Sequence, residues 1–205
     1  GSDDATGDVV RAAAPFFNLV ATLLTHPRNR GYGAAQKTGL AASMRAGNQA
    51  HVILHSDGQY APEELQDMLE PIRLGRADVV IGSKFRKGKV LNQGMPLPRM
   101  LGIRAADGLE NCLLGVRGLE FHSGYMAYSA RTLATVPYET LTDRFHFDGE
   151  MVLSAAKVGL NTELAPISTN YADGTSSLQP LPYLKELVLT VLKYRCGGYW
   201  FQQRG

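Results

Sequence analysis

The sequence predicts an α/β fold built on a mostly parallel sheet, and two observations support this prediction. Short apolar runs alternate along the chain with stretches in which apolar residues recur at helical spacing. The chain has 205 residues, which is enough for one domain with a substantial core. Alternating strands and helices are typical of parallel sheets, and we therefore expect a doubly wound arrangement.

The composition excludes several classes of protein. Hydrophobic residues make up 44% and charged residues 20% of the chain, as in soluble globular proteins. The net charge is only +2, and no basic tail or aromatic-basic patch indicates nucleic-acid binding. Cys112 and Cys196 form no metal-ligand or redox pair and fit a reducing compartment. No run of roughly 18 apolar residues could span a membrane, and no signal peptide is visible, so a cytoplasmic location is predicted.

The first 50 residues predict a short helix, a strand and a second helix. Residues 9–14 would form a helix that Pro15 ends. The apolar run 19–24 predicts a strand, and a helix is expected from Ala34 onward. A stripe of small residues on that helix would let it lie close to the sheet. The stripe consists of Ala35, Gly39, Ala42 and Ala46.

The chain is organised around residues 50–65, which predict a strand, a polar turn and a helix. Residues 52–54 form an apolar run typical of a parallel strand buried on both faces, and Pro62 suits the first position of a helix. Asp57 follows the strand end, where open α/β sheets bind ligands. Its carboxylate could hold a divalent cation against a phosphate, or could simply bond its own backbone in a turn.

The remaining elements follow in order, and two long loops separate them. We expect strands at 77–81, 124–128 and 162–168, helices at 99–114 and 148–158, and loops at 85–98 and 171–180. Helix 99–114 would bury one face made of Leu101, Ala105, Leu109 and Leu113. Residues 1–180 are expected to form the main domain, and residues 181–205 an amphipathic helix and tail.

The final helix allows two interpretations. Its apolar residues are Leu184, Leu187, Val188, Val191 and Leu192. This face could dock on the domain. Together with the aromatic residues 199–201 it could instead lie on a membrane surface.

Five segments, in this order, carry a resemblance to a known family. They are NRGYGAAQKTG at 29–39, HSDGQYAP at 55–62, VIGSK at 80–84, HSGYMAY at 122–128 and FDGEM at 147–151. The chain resembles family 2 glycosyltransferases, in the branch of the dolichyl-phosphate and polyprenyl-phosphate mannose and glucose synthases. This resemblance implies the GT-A fold, a Rossmann-like α/β sandwich. Each motif is weak alone, whereas five motifs in order are fairly specific.

The sequence departs from the family pattern in two places. The family's Asp-x-Asp metal motif has His55 at its first position here. Family members also begin with a strand-helix-strand unit that binds the nucleotide base and ribose. Residues 1–6 resemble the end of that unit, so the resemblance implies that this unit, roughly 30 residues long, is absent from this chain.

The resemblance also implies a donor site. Asp57 would hold Mg²⁺ or Mn²⁺ against the diphosphate, assisted by His55 or Gln59, although His55 could equally be a hydrogen-bonded histidine at a strand end. Ser123 and Gly124 would lie beside the donor sugar.

Basic residues would bind the phosphates. Lys84 and Arg99 are expected to do so, and Lys37 would lie at a helix N-terminus aimed at phosphate. Arg86, Lys87 and Arg104 could complete a cationic clamp. The alternative for the clamp is a solvated basic loop.

Asp148 and Glu150 are the candidate catalytic carboxylates in addition to Asp57. In relatives with hydroxyl acceptors, a carboxylate in this region can act as general base. The alternative is that Asp148 and Glu150 cap a helix or place negative charge in its first turn. A phosphate acceptor is already an anion and needs no base.

The resemblance thus implies an inverting glycosyltransferase that moves a hexose from a UDP- or GDP-sugar to a polyprenyl phosphate at the cytoplasmic face of a membrane. The alternative is a non-catalytic module of the same fold that binds sugar nucleotides or phosphates. An unrelated Rossmann-like binding domain is disfavoured by the ordered motifs.

Overall fold

The computed structural model describes residues 5–16, 21–86, 95–170 and 180–196. The strands within these ranges are β1 (Ala50–Ile53), β2 (Val79–Ser83), β3 (Met126–Ser129) and β4 (Thr162–Pro166). The helices are α1 (Thr6–Phe16), α2 (Tyr32–Arg45), α3 (Leu65–Arg73), α4 (Leu97–Leu114), α5 (Ala130–Thr135), α6 (Phe147–Lys157) and α7 (Pro180–Arg195). One-turn 3-10 helices occupy Pro62–Glu64 and Tyr138–Thr140.

The four strands form one sheet in the order β1-β3-β2-β4. Strands β2 and β4 are parallel, with Val79 opposite Thr162 and Ser83 opposite Pro166. Strand β3 runs antiparallel to both of its neighbours, with Met126 opposite Ile53 of β1 and opposite Ile81 of β2. Consequently β1, β2 and β4 share one direction and only β3 is reversed, which confirms the mostly parallel α/β sheet.

Helices cover both faces of the sheet. Successive side chains of β3 point to opposite faces, so Met126 and Tyr128 enter one core while Ala127 enters the other. The first core is completed by residues of α2, α4, α5 and α6, and the second by Met68 of α3. This three-layer arrangement confirms the sandwich that the resemblance implies.

Strand β1 differs from the expectation of a strand buried on both faces between parallel neighbours. It lies at the end of the described sheet and pairs only with the reversed strand β3. Val52 and Ile53 pack against opposite cores but are only half-buried, and Leu54 lies beyond the strand with 38% of its surface exposed. Within the described sheet β1 has one partner strand, whereas a strand between two parallel neighbours has two, which explains the difference.

Most other predicted elements are confirmed within a few residues. The prediction of a strand at 19–24 is wrong in the part that the structure describes, because residues 21–25 are irregular and exposed. Helix α5 was not predicted, since six residues are too few to show helical periodicity. Residues 87–94 and 171–179, which make up most of the two predicted loops, lie outside the described ranges.

Two helices bury a different face from the one predicted. In α4, Leu101 and Leu109 are 57% and 52% exposed, whereas Asp107 and Glu110 are buried. In α2 the predicted small-residue stripe fails as well, because Ala35 is exposed. The buried residues of α2 are instead Gly33, Ala34, Gln36 and Leu40. Buried polar partners beneath each helix account for these reversals: Asp148 accepts from Gln36 of α2, and His122 lies against Glu110 of α4.

Helix α7 packs against α4 and presents Val188, Leu189 and Leu192 to solvent, whereas Thr190 is buried. The side chains of Leu184 and Leu187, and residues 199–201, lie outside the described part. Among the described helices, none combines the length and hydropathy that crossing a bilayer requires. The contact of this helix with a membrane surface stays a prediction.

Two glycines of α2 provide a test of this packing. A Cβ on Gly33 would overlap the Thr142 carbonyl oxygen and crowd Phe147, whereas a Cβ on Gly39 would meet no atom within 4 Å. Gly33→Ala should therefore lower the free energy of unfolding by about 1–3 kcal/mol through overpacking. Gly39→Ala should raise it by about 0.5–1 kcal/mol through helix propensity. Urea unfolding of both variants measures the difference, and equal effects would contradict the placement of α2.

Candidate functional site

The turn that follows β1 borders an open pocket. The pocket has a volume of about 630 Å³. His55, Ser56, Gly58 and Gln59 line one side, and Ser168, Thr169 and Asn170 line the other. An isolated bridge between Tyr60 and Thr169 and a hydrogen bond from the Asn170 N–H to the Gln59 carbonyl (2.8 Å) join the two walls. The sequence motif at 55–62 therefore forms the wall of a cavity large enough for a small ligand.

Asp57 is exposed at the tip of this turn and does not line the pocket itself. Its Oδ1 accepts a hydrogen bond from the Gln59 N–H at 3.0 Å. This is the local backbone contact that the simpler interpretation of Asp57 predicts. The contact orients the carboxylate toward solvent and leaves it accessible, so a cation could still bind it. The assignment of Asp57 as a metal ligand stays a prediction.

His55 ends a buried hydrogen-bond chain that reaches Asp148. The Tyr32 hydroxyl lies 2.7 Å from His55 Nε2 and donates to Asp148 Oδ2 at 2.6 Å. Gln36 Nε2 donates a longer bond to the same carboxylate oxygen (3.4 Å). Three separate segments of the chain thus meet at the Tyr32 hydroxyl.

This chain of hydrogen bonds assigns the tautomer of His55. A tyrosine has one O–H. When Asp148 is ionised, Tyr32 directs this O–H to the carboxylate, so the tyrosine oxygen accepts a hydrogen bond from His55 Nε2–H. The lone pair of His55 then resides on Nδ1. Burial lowers the pKa of His55, although the nearby Asp57 charge opposes this effect. A neutral imidazole with a defined lone-pair nitrogen beside a carboxylate is a suitable pair of cation ligands.

Asp148 is buried beneath α2 rather than presented to the pocket. Burial raises its pKa to about 7, against the lowering effect of the hydrogen bonds from Tyr32 and Gln36. Its partner Tyr32 has a raised pKa because of burial and the adjacent Asp148 charge. Since Gln36 turns inward to reach this carboxylate, α2 buries the face that carries Gln36 and exposes Ala35.

Gly124 packs directly against the ring of His55. A Cβ at this position would overlap the imidazole, so only glycine allows the approach. The Gly124 N–H donates to the Tyr60 hydroxyl at 3.1 Å, and the Ser123 hydroxyl donates to the Gly82 carbonyl at 2.6 Å. The structure therefore brings Gly124 to His55, while Ser123 is buried and bonds β2.

Most of the predicted phosphate-binding residues lie near the end of β2, and they differ in burial. Lys84 is buried and donates to the His122 carbonyl at 3.0 Å. Burial lowers the pKa of Lys84 to about 8; Glu120 opposes this effect, and the charge of exposed Arg99 adds to it. Exposed Arg104 stacks over Phe85, 5.2 Å from the ring centre. Arg86 is also exposed, and Lys87 lies outside the described residues.

Lys37 lies apart from this group. Its ammonium donates to the carbonyls of Glu139 (3.2 Å) and Leu141, and to the Asp143 carboxylate at 2.8 Å. The N-terminus of α2 is also occupied, because the Asp143 carbonyl accepts from the Gly33 N–H at 2.8 Å. Lys37 thus stabilises the 139–143 segment, and its predicted contact with phosphate finds no support in this geometry.

Glu150 is buried and connects three elements. Its Oε2 accepts from the Thr142 N–H at 2.6 Å, and Lys193 of α7 lies 3.4 Å from its Oε1. Asp148 and Glu150 do lie in the first turn of α6, but neither caps it, because that helix has no side-chain cap. Their predicted catalytic role stays a prediction.

Sequence reasoning did not single out Tyr32, Tyr60 or a second buried cluster of polar residues. The second cluster consists of Asp107, Glu110, His122 and His146. Tyr32 and His122 belong to segments that carry the family resemblance. Their partners, however, lie up to 116 residues away, so the sequence offered no signal for the contacts themselves.

Comparison with known proteins agrees with this architecture. The model of the family described as glycosyl transferase family 2 matches residues 1–135. The chain is 28% identical over 150 residues to the UDP-N-acetylglucosamine–dolichyl-phosphate N-acetylglucosaminyltransferase of Methanococcus voltae, covering 73% of this chain but only 59% of that protein. It is 26% identical over 208 residues to the polyprenol monophosphomannose synthase of Mycolicibacterium smegmatis, covering 99% and 78% of the two chains.

Solved structures show the same fold. Glucosyl-3-phosphoglycerate synthase from Mycobacterium tuberculosis, in complex with phosphoglyceric acid, superposes with a TM-score of 0.60 at 18% identity. The match covers 95% of this chain and 66% of the synthase. The same enzyme has been solved with Mn²⁺, uridine-diphosphate and glucosyl-3-phosphoglycerate. At this identity the likeness concerns the fold alone.

The raised pKa of Asp148 predicts a pH dependence of stability. A carboxyl with a raised folded-state pKa stabilises the protein below its unfolded pKa of about 4, and this stability is lost as the pH rises toward about 7. Between pH 5 and 7 the free energy of unfolding should fall by up to about 1.4 kcal/mol per pH unit more in the wild type than in Asp148→Asn. Urea unfolding in EDTA at several pH values measures both slopes. Parallel slopes would contradict the buried, protonatable carboxyl.

Proposed function

The chain belongs to glycosyl transferase family 2, and from this premise we propose that it transfers a hexose from a UDP- or GDP-sugar to a polyprenyl phosphate with inversion. The observation that carries the proposal is the His55–Tyr32–Asp148 chain, which orients His55 beside the exposed Asp57 at the carboxyl end of β1. The named relatives act on lipid phosphates, which favours an acceptor of this class.

The residues of the turn fit a divalent cation such as Mg²⁺ or Mn²⁺. Asp57 offers a carboxylate, His55 the Nδ1 lone pair, and Gln59 a side-chain carbonyl in the same turn. Such a set of oxygen ligands with one imidazole suits Mn²⁺ at least as well as Mg²⁺. A cation bound here would neutralise the leaving diphosphate.

The transfer itself would need little proton chemistry from the protein. An oxygen of the acceptor phosphate attacks the anomeric carbon, the bond from this carbon to the diphosphate oxygen breaks, and the nucleoside diphosphate leaves with the electron pair. The acceptor oxygen is already ionised and requires no general base. Exposed Arg99, together with the Lys84 charge, would offset the phosphate charges at the end of β2.

Asp148 then acts as a positioning residue. Its carboxylate reaches His55 only through Tyr32 and lies 5% exposed beneath α2. Holding the Tyr32 hydroxyl keeps the His55 Nε2–H directed inward and Nδ1 available. Carboxylates generally orient metal-binding histidines by accepting their second ring N–H, and here the Tyr32 hydroxyl lies between the two groups.

Replacing the exposed carboxylate tests the metal assignment. Asp57→Asn should lower Mn²⁺-dependent transfer from labelled UDP- or GDP-hexose to undecaprenyl phosphate at least about 100-fold, since the charge that holds the cation is lost. Asp67→Asn, an exposed aspartate in the first turn of α3, is the matched control and should keep full activity. Unchanged turnover in Asp57→Asn would contradict the assignment of Asp57 as a metal ligand.

Tyr32→Phe tests the hydrogen-bond chain. Without the hydroxyl, His55 loses its orienting partner, and the Kd for Mn²⁺ in the presence of the nucleoside diphosphate should rise about 10- to 100-fold. Tyr138→Phe removes a hydroxyl from another buried tyrosine and should leave the Kd unchanged. Equal affinities in both variants would show that His55 does not ligate the cation.

The donor is identified by calorimetric titration of UDP, GDP and their hexose conjugates with and without Mn²⁺. Metal-dependent binding to one nucleotide, followed by transfer to undecaprenyl phosphate, is the expected outcome. Binding without transfer to any polyprenyl phosphate would instead support a module that only binds sugar nucleotides.

A further inference from the structure

A second set of potential ligands lies apart from the turn at Asp57, in a buried cluster between α4, α6 and the segment that leads into β3. We call Asp107, Glu110, His122 and His146 the buried histidine-carboxylate cluster. His122 Nε2 lies 2.9 Å from Glu110 Oε2 and 3.6 Å from Asp107 Oδ1, and His146 Nε2 lies 3.7 Å from Glu110 Oε1. One ligand atom from each of Asp107, Glu110 and His122 lies within 4.8 Å of the others.

Glu110 is almost fully buried in the cluster, and one of its carboxylate oxygens lacks a hydrogen bond within the described chain. The Glu110 side chain is 1% exposed, and this oxygen is its Oε2. The neighbouring His122 Nε2 is close to this oxygen, but the contact does not have hydrogen-bond geometry. Burying a carboxylate oxygen without a hydrogen bond lowers the stability of the fold, unless a proton or a cation neutralises the oxygen.

The scaffold around the cluster is held in place by other bonds. The Phe121 N–H donates to Asp107 Oδ1 at 2.9 Å. Asn111 of α4 donates to the Leu119 carbonyl at 2.8 Å and accepts from the Leu119 N–H at 3.1 Å. These contacts fasten the 119–122 segment to α4, so Asp107 and His122 face each other without help from a ligand.

We propose that the buried histidine-carboxylate cluster binds one divalent first-row transition cation of the zinc class, through Asp107, Glu110 and His122, with His146 at the fourth position. Two imidazoles and two carboxylates form a ligand set that zinc accepts in tetrahedral geometry. Imidazole nitrogen also favours such cations over Mg²⁺ and Ca²⁺, which prefer oxygen ligands.

One divalent cation would match the charge of the two carboxylates that belong to the cluster. Lys84 and Glu120 lie next to the cluster, and their opposite charges offset each other. The Ser83 hydroxyl holds Glu120 in place by donating to its Oε1 at 2.6 Å. The two remaining carboxylates, Asp107 and Glu110, carry two negative charges that a divalent cation would neutralise. Protonation of both histidines would give the same balance, and it is the competing outcome of the test.

The position of the cluster gives the cation a structural role. His122 directly precedes Ser123 and Gly124, and its carbonyl accepts the Lys84 bond. A cation on His122 would therefore stabilise the segment that places Gly124 against His55. The side chains of Asp107 and His122 retain 12% and 10% exposure, which gives the ion a route of entry.

The test uses the whole chain in the Asp57→Asn background, without nucleotide, so that only the proposed cluster is measured. Metal-free protein is titrated with Co²⁺ and then with Zn²⁺. We expect one Co²⁺ per chain with the visible absorption of a tetrahedral complex, its displacement by Zn²⁺, and a rise in Tm. Absence of binding and of any Tm change in folded metal-free protein would overturn the proposal in favour of protonated histidines.

Matched variants locate the ion. Glu110→Gln and His122→Gln should each raise the Kd for Co²⁺ by about 100-fold or more. His51→Gln replaces a buried histidine outside the cluster, whose Nδ1 lies 2.8 Å from the Ser43 hydroxyl, and should bind Co²⁺ as the parent does. Unchanged affinity for Co²⁺ in both Glu110→Gln and His122→Gln would overturn the proposal. These readouts need no sugar transfer, so they remain decisive if the proposed activity fails.

Discussion

The rest of the structure depends on the reversed strand β3. It is the only described strand that runs against the others, and it forms hydrogen bonds with both β1 and β2. Met126, Ala127 and Tyr128 are at most 1% exposed and supply side chains to both cores in alternation. A shift of one residue in its register would exchange the two faces, so the pairing is strongly specified.

The segment that enters β3 connects the candidate active site with the buried cluster. Within three residues it places the His122 ring against the carboxylates of α4 and the Gly124 backbone against the ring of His55. One site is open and ends at the exposed Asp57, whereas the other is largely buried. Both use histidines whose orientation is set by buried neighbours, and this positioning explains why the surrounding helices bury polar residues.

The burial of polar residues explains the failures of pattern reasoning. Hydrophobic periodicity predicts that α4 buries Leu101 and Leu109. Asp107 and Glu110 occupy its inner face instead, because their partners His122 and His146 lie on that side. Periodicity assumes that the interior is apolar. At a site that concentrates charged partners this assumption fails, and such failures are expected where function competes with core packing.

The sequence by itself determined the α/β class, the family and most of the helices and strands, because periodicity and short motifs are local properties. It also assigned the turn at 55–59 and Gly124 to one predicted donor site, and the structure places Gly124 against the ring of His55. Only the tertiary structure decided the reversal of β3, the inward face of each helix and the link from His55 through Tyr32 to Asp148. Tyr32 and Asp148 are separated by 116 positions, and such a contact exists only once the chain has folded.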